Sequence, residues 1–242
     1  MGFVELEIER AAVGTWPASW IDRVDGWLLR HCGLLNRKRS NSALPPEAVA
    51  DRRNGGRARG KVLRRSGRRA GRAGQPAGSA CRAGCVPGRS GYRVVGSTAV
   101  MFADCERVLA ESLGEPFEVR LESGPRPSWL VAGEAVGSRP EASLDRVPQP
   151  VRFAIALHGG VPVGVGMFAV SDGWCGIYGM ATHPDWRRRG VASAVLRAGA
   201  RWASGAGAPR LFLQVEAGNP GARRCYEALG FAPSHEYHYR VR

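Results

Sequence analysis

The regular alternation of strand-like and helix-like segments over residues 151–242 most constrains the fold of this chain. Three apolar runs, VRFAIALH, VPVGVGMFAV and GWCGIYGMAT, are separated by short turns that contain Gly or Asp, as in antiparallel hairpins. A helix-like segment, a strand, a second helix and a last strand follow. The order β-β-β-α-β-α-β predicts an α/β (α+β) domain in which helices pack on a mixed sheet.

The two helices of this region have clear starts. In the first, apolar residues recur at helical spacing from Gly190 onward. In the second, Asn219 is a good N-cap, Pro220 suits the first helical position, and Gly230 ends the helix. Each helix therefore begins directly after a strand or its loop.

Three arginines, Arg187, Arg188 and Arg189, stand immediately before Gly190. The first turn of a helix has unpaired N–H groups and a partial positive charge, and it therefore attracts phosphate. Gly190 leaves room for a diphosphate to approach the backbone, and the small residues at 192 and 193 keep that approach open. The stretch RRRGVAS thus predicts a compact anion site.

The net charge of +14 comes mainly from another segment. Residues 51–91 contain eleven Arg and one Lys against a single Asp, with ten Gly and no aromatic residue. The segment shows neither helical nor strand periodicity, and it is predicted to be disordered. Two interpretations stay open: an arm that binds nucleic acid through phosphate contacts, or codons of a GC-rich gene read out of frame.

Composition argues against several other classes of protein. The six cysteines are scattered and have no matching histidine pairs, so neither a zinc site nor a disulfide framework is predicted. No apolar run reaches the length of about 18 residues that a membrane span needs, and the N-terminus lacks the pattern of a signal peptide. We therefore expect a cytoplasmic protein that does not contact membranes.

The region 151–242 resembles the GNAT N-acetyltransferase superfamily through two signatures in the right order. Arg187-x-x-Gly190-x-Ala192 is similar to the acyl-CoA pyrophosphate loop of that superfamily, and Asn219-x-x-Ala222-x-x-x-Tyr226-x-x-x-Gly230-Phe231 is similar to its second signature. The resemblance implies the GNAT fold, a mixed and mostly antiparallel sheet flanked by helices. It also implies acetyl-CoA as the cosubstrate, with no metal.

The resemblance implies a role for each matching residue. A strand that splays from its neighbour would bind the pantetheine arm through its backbone, the loop amides would hold the pyrophosphate, and Asn219 would contact the pantetheine. Tyr226 would lie near the thioester sulfur as the general acid for the departing thiolate. The implied cofactor-binding residues are Met180, Ala181, Thr182, Arg187, Arg188, Arg189, Gly190, Val191, Ala192, Ser193, Asn219 and Tyr226.

The general base is less clear from the sequence. Among the carboxylates after residue 150, Glu216 on the fourth strand is the best candidate to take a proton from the acceptor ammonium. Relatives that acetylate protein N-termini often carry Glu at the place of Gln214, and this chain does not. Gln214 cannot act as a base, but it shares a strand face with Glu216 and could orient a water.

The N-terminal half resembles the degenerate first half of actinobacterial two-part GNAT proteins through DGWLLR and NRKRSNSALP. The sequence thus predicts a GNAT-like half at 1–149, interrupted at 46–91 by the Arg/Gly-rich segment, and an acetyl-CoA-binding catalytic domain at 150–242. The predicted activity is direct transfer of an acetyl group to a primary amine in a ternary complex. The acceptor, a small molecule or a protein, stays open, as does a monomer or a homodimer. A catalytically silent CoA-binding module is the alternative.

Overall fold

The computed structural model describes residues 3–16, 18–32, 41–44, 80–82, 93–110, 116–125, 127–137 and 144–241. Apart from residues 80–82, the Arg/Gly-rich segment 46–91 lies outside these ranges. Both interpretations of that segment, the nucleic-acid-binding arm and the out-of-frame translation, therefore fall outside the described residues.

The described residues form helices and strands that alternate along the chain. The helices are α1 (Phe3–Thr15), α2 (Cys105–Leu109), α3 (Pro127–Ala135), α4 (Val191–Gly205) and α5 (Pro220–Ala228), with short 3-10 turns at Leu144–Arg146 and Pro184–Trp186. The strands are β1 (Trp20–Val24), β2 (Trp27–His31), β3 (Ser42–Leu44), β4 (Ala80–Arg82), β5 (Arg93–Asp104), β6 (Glu118–Glu122), β7 (Val151–His158), β8 (Val161–Ser171), β9 (Trp174–Thr182), β10 (Arg210–Glu216) and β11 (Ala232–Val241).

The chain divides into two compact units whose boundaries fall within β5 and β11. The first unit comprises Met1, Ala18–Thr98 and Glu236–Arg242, and the second comprises Gly2–Pro17 and Ala99–His235. The division at residue 149 expected from the sequence stays a prediction.

In the first unit, β1 and β2 form an antiparallel hairpin, and β3 and β4 pair in parallel. The hairpin turns at Asp25 and Gly26, which both have positive φ as a tight two-residue turn requires. Trp27 is buried in the small core of this unit. The buried Arg30 donates hydrogen bonds from Nε and Nη2 to the Ser42 hydroxyl at 3.1 and 2.7 Å.

In the second unit, the strand order is β5-β10-β9-β8-β7-β6. β6, β7, β8 and β9 pair antiparallel in sequence, whereas β9 and β10 are parallel. The order β-β-β-α-β-α-β and the mostly antiparallel sheet with flanking helices, both expected from the sequence, are confirmed. The predicted helix starts are also confirmed, since Gly190 and Asn219 are the N-caps of α4 and α5.

Helices cover both faces of this sheet. α4 packs on one face, where the buried side chains of Phe168, Ile177 and Leu213 form the main core with Val195 and Ala200. α1 and α3 pack on β8 from the other face. There the indole Nε1 of Trp129 lies 3.2 Å from the carbonyl oxygens of both Ala154 and Gly166. The sheet therefore lies between two layers of helices.

The described part of the chain offers neither a metal site nor a membrane-spanning helix. No group of three or more His, Cys, Asp and Glu is placed to hold a metal ion. His235 instead lies with Nε2 at 3.1 Å from a carboxylate oxygen of Glu9. None of the helices built from these residues has the length and apolarity that crossing a membrane would require.

Candidate functional site

The most distinctive feature of the sheet is that β9 and β10 pair over only part of their length. Their ladder joins Trp174–Ile177 to Arg210–Leu213 and goes no further. Beyond that point, Tyr178–Thr182 pair with β8 and with no other strand of the described residues. The backbone groups on the other edge of this half of β9 therefore have no strand partner among the described residues, and the gap between β9 and β10 at this point is called the opening.

A β-bulge stands where the opening begins. Val165 pairs with Ala181 and Met167 pairs with Tyr178, so two residues of β9, Gly179 and Met180, face one residue of β8. Gly179 has φ +58°, a conformation that favours glycine.

The bulge changes which side chains share a face. The Tyr178 ring lies 5.1 Å from the Trp16 ring at the end of α1, between ring centroids. Two residues later an unbroken strand would return to the same face. Met180 instead packs against the core beneath α4. The bulge therefore places the side chains of Tyr178 and Met180 on opposite faces of the sheet, where each packs against its neighbours.

The loop after β9 ends at the start of α4 in a form suited to an anion. Arg188 has φ +62° and Gly190 has φ +89°, and no side chain caps the helix. Val191 is buried, while Ala192 and Ser193 are half-buried. The first-turn N–H groups therefore lack a side-chain acceptor. The positive φ of Arg188 and Gly190 is typical of backbone turns whose N–H groups bind an anion.

The three arginines of the loop are exposed, but their side chains lie differently. The Nε of Arg187 lies 3.5 Å from the Thr182 carbonyl oxygen, at the end of β9. The guanidinium carbon of Arg189 lies over the Trp186 ring, 5.0 Å from its centroid. The guanidinium groups of Arg187 and Arg189 therefore lie on different sides of the loop.

Asn219 joins the end of β10 to α5. Its backbone N–H donates to the Glu216 carbonyl at 2.9 Å, and its side-chain oxygen accepts from the Ala222 N–H at 3.1 Å. The capping hydrogen bond occupies the oxygen and leaves the side-chain NH₂ exposed.

Tyr226 is half-buried on α5, with its ring 5.9 Å from the Phe231 ring. Burial, and secondarily the neighbouring Cys225 thiol, raises the pKa of Tyr226 to about 12. Burial also raises the pKa of Cys225, and the Ser193 side chain beside it opposes that rise. The start of α4 therefore lies against α5 at Cys225, the residue before Tyr226.

The two polar residues at the end of β10 stand apart from this group. Glu216 is exposed and Gln214 is half-buried, on the strand face that also carries Phe212. No described contact joins Glu216 to Tyr226. Ser193 at the start of α4 thus contacts Cys225, the neighbour of Tyr226, whereas Glu216 stands exposed at the end of β10.

Sequence reasoning missed two features, the bulge at Gly179 and the contact of Arg189 with Trp186. Gly179, within the apolar run IYGMAT, was a signal for the bulge. The second feature joins residues only three positions apart, but the place of the Trp186 ring depends on Phe117 and His158, which are far from it in the chain.

Comparison with known proteins agrees with this arrangement. The model of the acetyltransferase (GNAT) family matches residues 116–231. The uncharacterized N-acetyltransferase YobR of Bacillus subtilis (strain 168) is 27% identical over 98% of this chain and 98% of its own.

Two solved structures share the fold. A GCN5-related N-acetyltransferase from Kribbella flavida aligns with TM-score 0.70 and 16% identity, over 100% of this chain and 96% of that one. A tandem GNAT protein from the clavulanic acid biosynthesis pathway aligns with TM-score 0.55 and 13% identity, over 83% and 77%. The family match identifies residues 116–231 as an acetyltransferase (GNAT) domain, and the full-length relative and the shared fold agree with this.

Proposed function

We propose that this protein transfers the acetyl group of acetyl-CoA to a primary amine, directly and within a ternary complex. The observation that carries the proposal is the separation of β9 from β10 beside the uncapped start of α4. This opening offers an unpaired strand edge to an amide-containing chain and unpaired N–H groups to a diphosphate. Acetyl-CoA has both groups in the matching order.

Each part of the cosubstrate has its own contacts in this proposal. The backbone of Met180, Ala181 and Thr182 binds the pantetheine arm. Residues 187–193 hold the diphosphate through loop amides and arginine charge, and the exposed NH₂ of Asn219 contacts the pantetheine. The protein thus needs no metal to neutralise the diphosphate.

The chemistry follows from the position and protonation of Tyr226. The neutral amine attacks the thioester carbonyl, the C–N bond forms, and the C–S bond then breaks with the electron pair leaving on sulfur. Tyr226 donates its proton to that thiolate, and the proton that the attacking nitrogen releases on becoming an amide returns to the tyrosine through solvent. Its hydroxyl has no hydrogen-bond partner among the described residues, and its pKa of about 12 keeps it protonated at neutral pH. Both properties support the role of general acid.

The amine must lose a proton before it attacks. Glu216 is the proposed base, since it stands exposed at the end of β10 next to the opening. A water held between Glu216 and the half-buried Gln214 would carry the proton if the amine does not reach the carboxylate.

The rest of the chain fits around this centre in the proposal. Residues 150–242 form the acetyl-CoA-binding part, and residues 1–149 form a degenerate GNAT-like half. The acceptor is a small molecule or a protein, bound by a monomer or a homodimer. A cytoplasmic location fits the use of acetyl-CoA.

Steady-state kinetics with a panel of amines test the proposal. The panel contains polyamines, lysine, peptide N-termini and aminoglycosides, and free CoA thiol is measured. We expect release with at least one amine and intersecting initial-velocity lines, as for a ternary complex. Parallel lines would indicate a covalent acetyl-enzyme and contradict direct transfer. Binding of acetyl-CoA with no release above that of Tyr226→Phe would favour a silent module.

A further inference from the structure

A cluster beside the helix start is formed by Arg189, Trp186, Phe117 and His158, and the function proposed above uses only the charge of Arg189 from it. The Trp186 ring lies edge-on to Phe117, with centroids 6.0 Å apart, and 4.4 Å from the His158 ring. The Arg189 guanidinium caps the cluster, with its central carbon 5.0 Å from the Trp186 centroid. A guanidinium held in this way is suited to bind an anionic group of a ligand.

One side of the cluster packs against the main core, and the other side is exposed to solvent. Phe117 is buried within the main core, and Trp186 is half-buried against that core. Arg189 is exposed. The attraction between a guanidinium and an indole face restricts where the arginine points, although its donors stay available to solvent. A ligand would therefore meet a guanidinium that is already oriented.

Arg189 differs in this respect from the two arginines before it. Arg187 is directed back toward the end of β9, where its Nε lies 3.5 Å from the Thr182 carbonyl. Arg188 makes no described side-chain contact. Arg189 instead lies on the side of the loop that faces Phe117 and His158. Phe117 stands just before β6, and His158 is the last residue of β7. In the strand order, β6 and β7 lie away from the opening between β9 and β10.

The chemistry of the cosubstrate supplies a group for this position. Coenzyme A has the pantetheine arm on one side of its diphosphate and an adenosine on the other, and the ribose of that adenosine carries a 3′-phosphate. If the pantetheine follows β9, the adenosine leaves the diphosphate on the opposite side. Only the ribose separates the diphosphate from the 3′-phosphate, and Arg189 directly precedes the helix N-cap. A phosphate with free oxygens suits the planar fork of a guanidinium.

We propose that Arg189 binds the 3′-phosphate of coenzyme A and that Trp186 is its positioning residue. The inference rests on the proposed function, because it requires coenzyme A in the opening. Its consequence is selectivity: the protein distinguishes coenzyme A from dephospho-coenzyme A, which lacks only this phosphate.

Calorimetric titration of the full chain with coenzyme A and with dephospho-coenzyme A tests the inference. We expect the wild type to bind coenzyme A about tenfold more tightly, as for a charge-assisted contact at the surface. Arg189→Ala should bind both ligands with equal affinity. Trp186→Leu should reduce the ratio of the two affinities, and Trp186→Phe should restore most of it, because the ring face that orients the arginine is kept.

Arg188→Ala is the matched control, since it removes one neighbouring positive charge of the same loop. It should weaken both ligands equally and leave the ratio unchanged. Near-ultraviolet circular dichroism confirms that each variant is folded. A ratio of affinities does not respond to a general loss of folded protein, so a purely structural effect of Trp186 would not move it.

The outcomes separate this inference from the proposed function. A wild type that binds both ligands equally, or an Arg189→Ala variant that keeps the wild-type ratio, overturns the role of Arg189 and leaves acetyl-CoA binding intact. A Trp186→Leu variant that weakens both ligands equally overturns the positioning role of Trp186. Binding of neither ligand by the folded wild type overturns the proposed function itself, and this inference with it.

Discussion

The two halves of β9 have the same neighbour on one side and differ on the other. Trp174–Ile177 pair with β8 and with β10, whereas Tyr178–Thr182 pair with β8 alone. The first half is buried at every position, and the second becomes partly exposed from Gly179 onward. One strand thus serves as central scaffold over its first half and as an open edge over its second.

The difference shows how a sheet can create a binding edge without ending a strand. An open edge normally invites pairing with another chain. Here the bulge at Gly179 and the loop to α4 confine the open edge to a few residues, and the paired half holds them in place. Substitutions in the paired half should therefore affect stability, and those around the open half should affect activity.

The largest expected effect is that of Tyr226→Phe, which removes the proposed proton donor beside the open half. We expect kcat to fall about a hundredfold or more, because general acid catalysis contributes factors of about 10² to 10⁴. The melting temperature should stay near that of the wild type, since no described residue hydrogen-bonds the Tyr226 hydroxyl. CoA release at saturating substrates measures the effect.

Tyr178→Phe is the matched control for Tyr226→Phe. Tyr178 is buried, and its hydroxyl lies 2.7 Å from the Thr15 hydroxyl. Loss of that hydrogen bond should lower the free energy of unfolding by about 1 kcal/mol with little change in kcat. Tyr178 is the first residue of the open half, but its side chain is buried beside Trp16, so an exchange of these effects between the two variants would contradict the role of Tyr226 as proton donor.

Gly176→Ala tests the paired half of β9 by overpacking. A Cβ at this position would lie 2.7 Å from the Tyr178 ring and hydroxyl and 2.9 Å from Phe212. Two buried rings must shift, so we expect the free energy of unfolding to fall by about 1–3 kcal/mol. Urea denaturation measures the loss. An unchanged midpoint would show that the rings adjust freely.

Gly179→Ala is the counterpart of Gly176→Ala in the open half. No atom lies within 4 Å of a Cβ at this position, but φ is +58°. The strain is of order 1 kcal/mol, and relaxation of the bulge should raise KM for acetyl-CoA. An unchanged KM together with lost stability would contradict a role for the bulge in binding.

Asn219→Ala should have a smaller effect. The variant loses the cap that accepts from the Ala222 N–H, which costs about 1 kcal/mol of stability. It also loses the exposed NH₂, so KM for acetyl-CoA should rise. Asn219→Asp keeps the cap and removes the NH₂ donor. A wild-type KM for acetyl-CoA in Asn219→Asp would show that the NH₂ group of Asn219 does not contact the pantetheine.

The smallest expected effect concerns pH. Tyr226 must be protonated to act, and its pKa is raised from 10.0 to about 12. The protonated fraction therefore stays near one as the pH rises through the ordinary value for tyrosine, and kcat should show no decline between about pH 8 and pH 10. A fall in kcat centred near pH 10 in folded protein would indicate an unshifted tyrosine or another acid.

The sequence predicted the second unit well where local signals were strong. Alternating apolar runs with Gly turns indicated β7, β8 and β9, and Asn219 with Pro220 marked the start of α5, because these signals act within a few residues. The GNAT resemblance, confirmed by the family match, rested on residues in the same local stretches.

Other features depend on contacts between distant residues, and the sequence did not reveal them. The bulge depends on the register of β8 against β9, and the Trp186 cluster depends on Phe117 and His158, which are far from it in sequence. The roles of Glu216 and Tyr226 and the division of the chain at residue 149 stay predictions, because local patterns do not report which groups meet a substrate.

Calorimetric titration of the full chain with acetyl-CoA tests the central claim most directly, with Gly190→Ala as the informative variant. Gly190 has φ +89°, and a Cβ there would meet only Phe117, at 4.0 Å, so the variant strains the backbone of the anion site without crowding it. The account predicts binding of one acetyl-CoA per chain, weakened about tenfold in Gly190→Ala. Folded wild-type protein that binds no acetyl-CoA, or a variant that binds it as tightly, would contradict the claim.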